Sequence, residues 1–358
     1  MNRKLYIALV ASLSFFAACT ERPVDQVPSG PEASHSYIFF EPEVIESVES
    51  RAALVVGTSL PQAEGSAFGV LGFAGNNTTS IFTNSEESAA YVYWTTTGFA
   101  YDNLAIWHGN ETVHRFYAYY PYDLNTGSSI VPNDGNPYIS YTQPETEAGM
   151  QDILTAYVSR TSKDGLAVPL GFHHRLWALD VKIENGQTVG VGSDNATTQS
   201  PTIEITGIDL TVSDFPAQAH IYLDKDNGGF ELVRDNNKAV ILMTDDVVYS
   251  LPMPEDGNVI AKGANKTYGS FLFLPLPKKD FKSTLTIRYL DSTGKPATFT
   301  TSTAESSTGD FLAGKRYTIT VKKTNDQFVV GTYFDPDGEG TAYQPGYWSQ
   351  VDVTHTFN

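Results

Sequence analysis

Leu170-Gly171-Phe172-His173-His174-Arg175-Leu176-Trp177-Ala178-Leu179-Asp180-Val181-Lys182-Ile183 is the stretch that decides the fold class. From Leu179 onward the residues alternate singly: Leu179, Val181 and Ile183 fall on one face of an extended chain, and Asp180, Lys182 and Glu184 on the other. A period of two over this length is a strand signal, and it closes the first half of the chain. On its N-terminal side lie Ala53-Leu54-Val55-Val56, Phe68 to Phe73, Tyr91 to Trp94 and Arg115 to Pro121, each strand-like and bounded by Gly, Asn or Thr. On its C-terminal side Asn185 to Pro201 is rich in Gly, Ser, Thr and Asn and reads as the domain boundary. Beyond it, Thr202 to Thr206 and Ile208 to Val212 alternate cleanly, followed by Ser270 to Leu274, Ser283 to Tyr289 and Arg316 to Val321. The chain ends with Val351, Val353, His355 and Phe357 alternating against Asp352, Thr354, Thr356 and Asn358, a terminal strand with one apolar face.

Composition supports the same class. Tyr and Phe number 20 each, Thr and Val are frequent, and helix-favouring stretches are scarce, which predicts an all-β protein of short strands between turns. At 358 residues the chain is long for one core, so two β-rich domains are expected, at residues 52–190 and 201–358. The 23 basic residues face 41 acidic ones, a net charge of -18, which argues against nucleic acid as a partner.

The N-terminus carries its own signal. Arg3 and Lys4 precede the apolar run Leu5 to Ala18, too short to span a bilayer, and Ala17-Ala18 stand directly before Cys19, the only cysteine. Residues 1–18 read as a lipoprotein signal peptide and Cys19 as the lipidated residue, with an ordinary secretory signal as the alternative. Loss of Arg3 and Lys4 would bring the net charge to about -20. Thr20 to Ser36 is Pro, Ser, Gly and acid, a tether that cannot bury enough apolar surface to fold. Tyr37-Ile38-Phe39-Phe40 then begins an extended segment interrupted by Pro42, which suits an edge strand and not a central one. Residues 19–51 together read as a tether and pro-segment with a removable strand.

Several arrangements imitate chemical sites. Gly309, Gly314 and Lys315 have phosphate-loop spacing, but Arg316 stands where Ser or Thr would hold magnesium, and a tight turn explains them better. His173 and His174 would point to opposite faces of a strand and cannot grip one metal ion together. Asp224, Asp226, Asn227 and Gly228, and likewise Asp335, Asp337 and Glu339, lack the full spacing of a calcium loop. No catalytic serine elbow, zinc-binding helix or cysteine nucleophile is present. No enzyme, cofactor or metal is expected. Tyr117, Tyr119, Tyr120 and Tyr122 raise the alternative of sugar stacking, although alternation assigns at least one set of them to the core.

In order along the chain, the lipobox, Phe40 to Arg51-Ala52, Phe116-Tyr117-Ala118-Tyr119-Tyr120-Pro121, Asp152-Ile153-Leu154-Thr155-Ala156, Phe172 to Val181 and Gly314-Lys315-Arg316-Tyr317 together resemble the fimbrillin family. These are lipoprotein subunits of type V pili. The resemblance implies two tandem β-sandwich-like domains of transthyretin-like kind, and an outer-membrane lipoprotein precursor, surface-exposed, that ends in the extracellular fimbrium. It further implies cleavage by a trypsin-like, Arg-specific protease at Arg51, leaving Ala52 as the new N-terminus, and assembly with other pilus subunits by donor-strand exchange. Arg22 and Arg160 are rival sites in polar, loop-like sequence. Val351, Val353, His355 and Phe357 form the candidate donor strand, or else the last strand of their own domain. The alternative function is a carbohydrate-binding lipoprotein that stays anchored in the outer membrane and does not polymerise.

Overall fold

The computed structural model describes residues 37–44, 59–77, 79–82, 89–132, 136–186, 202–224, 229–253, 258–291, 293–302, 310–324, 328–333 and 349–351. The molecule is all-β. The first ten strands are β1 (Phe39–Val44), β2 (Ala67–Ala74), β3 (Ala90–Trp94), β4 (Phe99–Ala100), β5 (His114–Tyr120), β6 (Ser129–Val131), β7 (Tyr138–Thr142), β8 (Leu154–Arg160), β9 (Ala167–His174) and β10 (Trp177–Asn185). Then follow β11 (Ile203–Ser213), β12 (Gln218–Tyr222), β13 (Phe230–Leu232), β14 (Val247–Ser250), β15 (Val259–Ile260), β16 (Asn265–Phe273) and β17 (Leu276–Pro277). The last are β18 (Lys282–Leu290), β19 (Pro296–Ser302), β20 (Asp310–Phe311), β21 (Lys315–Lys323), β22 (Phe328–Tyr333) and β23 (Ser349–Val351). Among the described residues no helix is long and apolar enough to cross a membrane.

The first sheet runs β1-β9-β8-β5-β2-β3-β4. Beside its central strand β5 lies β2, Ala67-Phe-Gly-Val-Leu-Gly-Phe-Ala, buried along its whole length because β3 and β5 flank it and both its faces are covered. Phe68, Val70, Phe116, Ala118, Val168, Leu170 and Phe172 face a core belonging to this sheet alone. Leu71, Phe73, Tyr117 and Tyr119 face the other way, into a larger core that continues through Trp177 and Ile208 to Val321. Gly72 permits the packing on the first of these faces: a Cβ there would stand 2.6 Å from the Phe82 ring and 2.9 Å from Ile81.

The strand on which the sequence reading centred, β10, has a different neighbourhood from the one expected. Read as the closing strand of the first half, it pairs antiparallel with β16 and parallel with β21, both from the second half. Likewise β7 pairs with β12, and β6-β7-β12-β13 form one sheet across the middle of the chain. Alternation reports which side chains turn inward, but not which strand lies alongside. Leu179, Val181 and Ile183 are buried as the pattern requires. The opposite face is solvated only in part: Lys182 and Glu184 are half-buried, but Asp180 is only 6 % exposed, accepts a hydrogen bond from the Ser270 hydroxyl, and lies 3.4 Å from Nε of Arg316. Burial pushes its carboxyl above the ordinary carboxylate range, while Arg316 and Ser270 pull it back.

Thr202–Thr206 and Ile208–Val212, expected as two strands, are the single strand β11, paired with β14, β15 and β18. The register slips between Ile205 and Gly207, a bulge at which the Arg288 guanidinium lies over the glycine, 2.4 Å from where a Cβ would stand. The turn expected at Gly314 is present: this residue has φ +69 and the Lys315 N-H closes onto the Leu312 carbonyl at 3.2 Å. Ala53–Val56 and most of the Asn185–Pro201 boundary lie outside the described residues.

Candidate functional site

The site is the slot that holds β1. Its sequence, Phe39-Phe40-Glu41-Pro42-Glu43-Val44, places Phe40 and Val44 inward with Ile38, while Glu41 and Glu43 point to solvent. β1 pairs in parallel with β9 from Phe39↔Ala167 to Val44↔Phe172 and stands at one end of the sheet order. The Phe39 N-H donates to the Leu166 carbonyl. Because backbone groups alternate sides along a strand, Phe39, Glu41 and Glu43 address β9, whereas Ile38, Phe40 and Pro42 address the outer side. Pro42 therefore sits where its missing N-H costs no ladder bond, which is why the strand can occupy only an edge.

Aromatic rings make the floor. The Phe40 centroid lies 5.4 Å from Tyr101, 5.8 Å from Phe116, 6.1 Å from Phe82 and 6.5 Å from Phe68. Two of these contacts are edge-to-face, the arrangement in which ring quadrupoles attract. On the outer side, the loop 101–107 reaches the start of the strand: Tyr37 bridges Ile106, and the Ile38 N-H donates to the Ala105 carbonyl at 3.0 Å. The chain thus enters its edge position held by β9 on one flank and by this loop on the other.

Behind the floor, His114 packs on Trp107 and Phe116 and is fully buried. Its Nε2 accepts the His108 N-H at 3.2 Å, so its Nδ1 carries the proton and donates to the Thr112 carbonyl at 3.0 Å. Protonation would turn Nε2 into a donor facing the His108 N-H, with the His108 Nδ1 at 3.4 Å to accept it. Burial lowers its pKa, reinforced by His108 and opposed by the Thr112 carbonyl. A depressed folded value means that the unfolded chain takes up the proton first as acid is added. The stabilisation is fully present above the ordinary histidine value near 6.5, and is lost as pH falls towards and through the lowered one. Urea unfolding measured from pH 7.5 to 5 should therefore give a shallower pH dependence for His114→Gln than for the parent; equal slopes would show that His114 is not the titrating group.

The other residues singled out from the sequence divide clearly. Cys19, Arg22, Arg51, Ala52, Val353, His355, Phe357, Gly309, Asp226, Asn227, Gly228, Asp335, Asp337 and Glu339 lie outside the described residues. Val351 is described by its backbone alone, as the end of β23, which pairs in parallel with Lys315–Tyr317 of the same chain. Arg160 is not in a loop: it is the last residue of β8, paired with His114, and its guanidinium bonds the Asp164 and Gly165 carbonyls. Polar neighbours concealed the strand, since β8 ends at a surface turn. His173 and His174 share no ligand; His174 Nδ1 meets Asp152 at 2.9 Å in the interior. Among the described residues no three His, Cys, Asp or Glu side chains converge as a metal site. Tyr117 and Tyr119 are each 2 % exposed, as deeply buried as Phe116 and Ala118 on the other face of β5. The slot loop 101–107 was the part that sequence reasoning missed. Its one signal was a run of apolar residues, Leu104 to Trp107, without a strand's alternation.

The fold defines an all-β protein of several packed sheets, with β1 held at one sheet's edge over an aromatic floor. The chain belongs to the fimbrillin-like family, whose profile matches residues 55–333. No curated protein matches it by sequence. Its fold is similar to a fimbrial protein from Bacteroides vulgatus, with TM-score 0.52 and 16% identity over 83% of this chain and 98% of that one. A proposed cell adhesion protein from Bacteroides ovatus aligns with TM-score 0.47 and 15% identity over 84% of this chain and 96% of that one. Family membership makes the chain a fimbrial or adhesin subunit that works with other pilus subunits at or beyond the cell surface.

Proposed function

We propose that this chain is a structural or adhesive subunit of a type V pilus. It is exported as a lipoprotein precursor on Cys19, cleaved after Arg51, and assembled by donor-strand exchange, with no catalytic role, metal or cofactor. The two domains of the same proposal, 52–190 and 201–358, share sheets, since β7 pairs with β12 and β10 with β16 and β21. The observation that carries it is β1, a strand at the end of its sheet order that precedes the part of the chain matched by the family profile.

The energetics favour replacement once the strand is gone. Ile38, Phe40 and Val44 contribute ~1.5 to 3 kcal/mol each, or roughly 4 to 9 kcal/mol gross, and β1-β9 backbone pairing adds about 1 kcal/mol net per bond. An open slot would expose the Phe68, Phe82, Tyr101 and Phe116 rings beside the unpaired edge of β9. A strand from a neighbouring subunit restores both terms, the mode known as β-strand addition, for which chaperone-assisted pilins are a standing example. Val351, Val353, His355 and Phe357 supply the period-two apolar face that such a strand needs. The burial of Tyr117 and Tyr119 leaves them no surface on which to stack a sugar, so the anchored carbohydrate-binding alternative would fall to the half-buried Tyr120 and Tyr122, the latter 4.6 Å from the exposed Tyr91.

The test is to treat residues 20–358 with an Arg-specific protease, sequence the new N-terminus and resolve the products without boiling. A start at Ala52 with a ladder of oligomers is the expected result. A start at Ala52 without a ladder would favour a tip or anchor subunit that needs a different partner, and resistance at Arg51 would remove the activation step.

A further inference from the structure

The outer flank of β1 contains one side chain that makes two backbone contacts at once. The Tyr101 hydroxyl donates to the Ile38 carbonyl at 2.9 Å and accepts the Ala105 N-H at 3.2 Å. Together with the Ile38 N-H on the Ala105 carbonyl, this satisfies both outward-facing backbone groups of Ile38, in a place where Ile38 is fully buried and Tyr101 is 4 % exposed. Burial raises the phenol far above its ordinary value, so it remains a neutral donor across the physiological pH range. The Tyr101 ring is itself fixed, 5.4 Å from Phe40 and 5.8 Å edge-to-face from Phe82. The hydroxyl is therefore preorganised: its position is set by ring packing, and its two bonds are made without further ordering.

We propose that Tyr101 is the clasp of the β1 slot, a positioning residue whose hydroxyl ties the incoming strand to the loop 101–107 and sets how long that strand stays docked. The ligand it selects is an extended peptide running parallel to β9, with a backbone carbonyl at the Ile38 position and a large apolar side chain two residues later, over the Phe82-Tyr101-Phe116 floor. Side-chain identity at the Ile38 position matters less than the carbonyl, because the clasp contacts backbone. The same residue thus retains the resident strand and constrains its replacement. This rests on the reading that β1 is exchangeable, but its test does not require cleavage.

Amide hydrogen exchange on the full chain, read by mass spectrometry, compares the parent with Tyr101→Phe. The variant keeps the ring and removes only the hydroxyl, leaving two buried backbone groups without this partner. Exchange over residues 37–44 should quicken on the order of ten- to a hundred-fold, with β5 and β8 unchanged. Unaltered exchange at 37–44 would overturn the proposal, and so would an equal rise throughout the sheet, which would mean a general loss of packing. A second arm follows release of the N-terminal fragment after Arg-specific proteolysis, which should be faster for Tyr101→Phe by a similar factor; equal release rates would count against the clasp. If neither protein is cut at Arg51, the pilus-activation reading fails while the exchange result still decides the clasp.

Discussion

Phe40→Ala is expected to free β1 from its slot while the rest of the chain stays folded. Phe40 is 7 % exposed and touches four aromatic rings, so its truncation removes the largest inward side chain of the strand and leaves a cavity over Phe68, Phe82, Tyr101 and Phe116. Buried Phe→Ala changes cost about 3 to 5 kcal/mol, which corresponds to a rise in the undocked population on the order of a hundred- to several-thousand-fold. An edge strand can detach by itself, so the loss is local and bounded by the docking free energy of β1. Limited proteolysis within residues 37–44 should accelerate accordingly, while the melting of the large core moves little. Slow proteolysis with a lowered global melting temperature would instead make β1 an integral strand of the fold, and would argue against its exchange.

Trp177→Ala is expected to have the opposite signature, a global collapse. Trp177 is fully buried, stacks on Phe311 at 4.0 Å, and packs against Phe273, Phe281 and Tyr317 at 5.1 to 5.6 Å. Its indole N-H also donates to the Leu274 carbonyl at 2.8 Å, which the variant would orphan. The cavity costs about 3 to 5 kcal/mol and the unpaired carbonyl about 1 to 3 kcal/mol more. That sum is comparable with the whole stability of many domains, so the variant should melt roughly 10 to 25 °C lower or fail to accumulate in folded form. Near-ultraviolet circular dichroism during heating would read it; a drop of only a few degrees would mean that the aromatic cluster repacks around the space. Trp177→Phe, which keeps a ring on Phe311, should fall well short of that loss.

These two variants separate what pairs β1 from what holds the body together, and the same division separates what could be read along the chain from what could not. Alternation at Leu179-Val181-Ile183, at Ile203-Ile205 and at Ile319-Val321 identifies strands and their inward faces, and each of these residues is buried. Pro42 restricts its strand to an edge before any partner is known, because a residue without an N-H cannot serve a central ladder. The ordered set of short motifs from Phe40 to Tyr317 resembled the family whose profile matches residues 55–333.

Pairing was not legible. β10 lies between β16 and β21, 80 and more residues away, and β7 lies beside β12, because a backbone N-H bonds any carbonyl equally well and only the fit of whole faces chooses among them. The burial of Asp180 follows from that choice, as does its Arg316 partner, which the sequence shows only as a cation near a turn. The loop 101–107 lacks a strand's period, and the Tyr101 hydroxyl reaches a carbonyl 63 residues earlier. By itself, then, the sequence determined that this protein is built of strands, which residues face inward, and that its first described strand sits at an edge. The tertiary structure alone decided which strands are neighbours and what grips that edge strand, because those are long-range matters of shape and hydrogen-bond geometry that local periodicity does not encode.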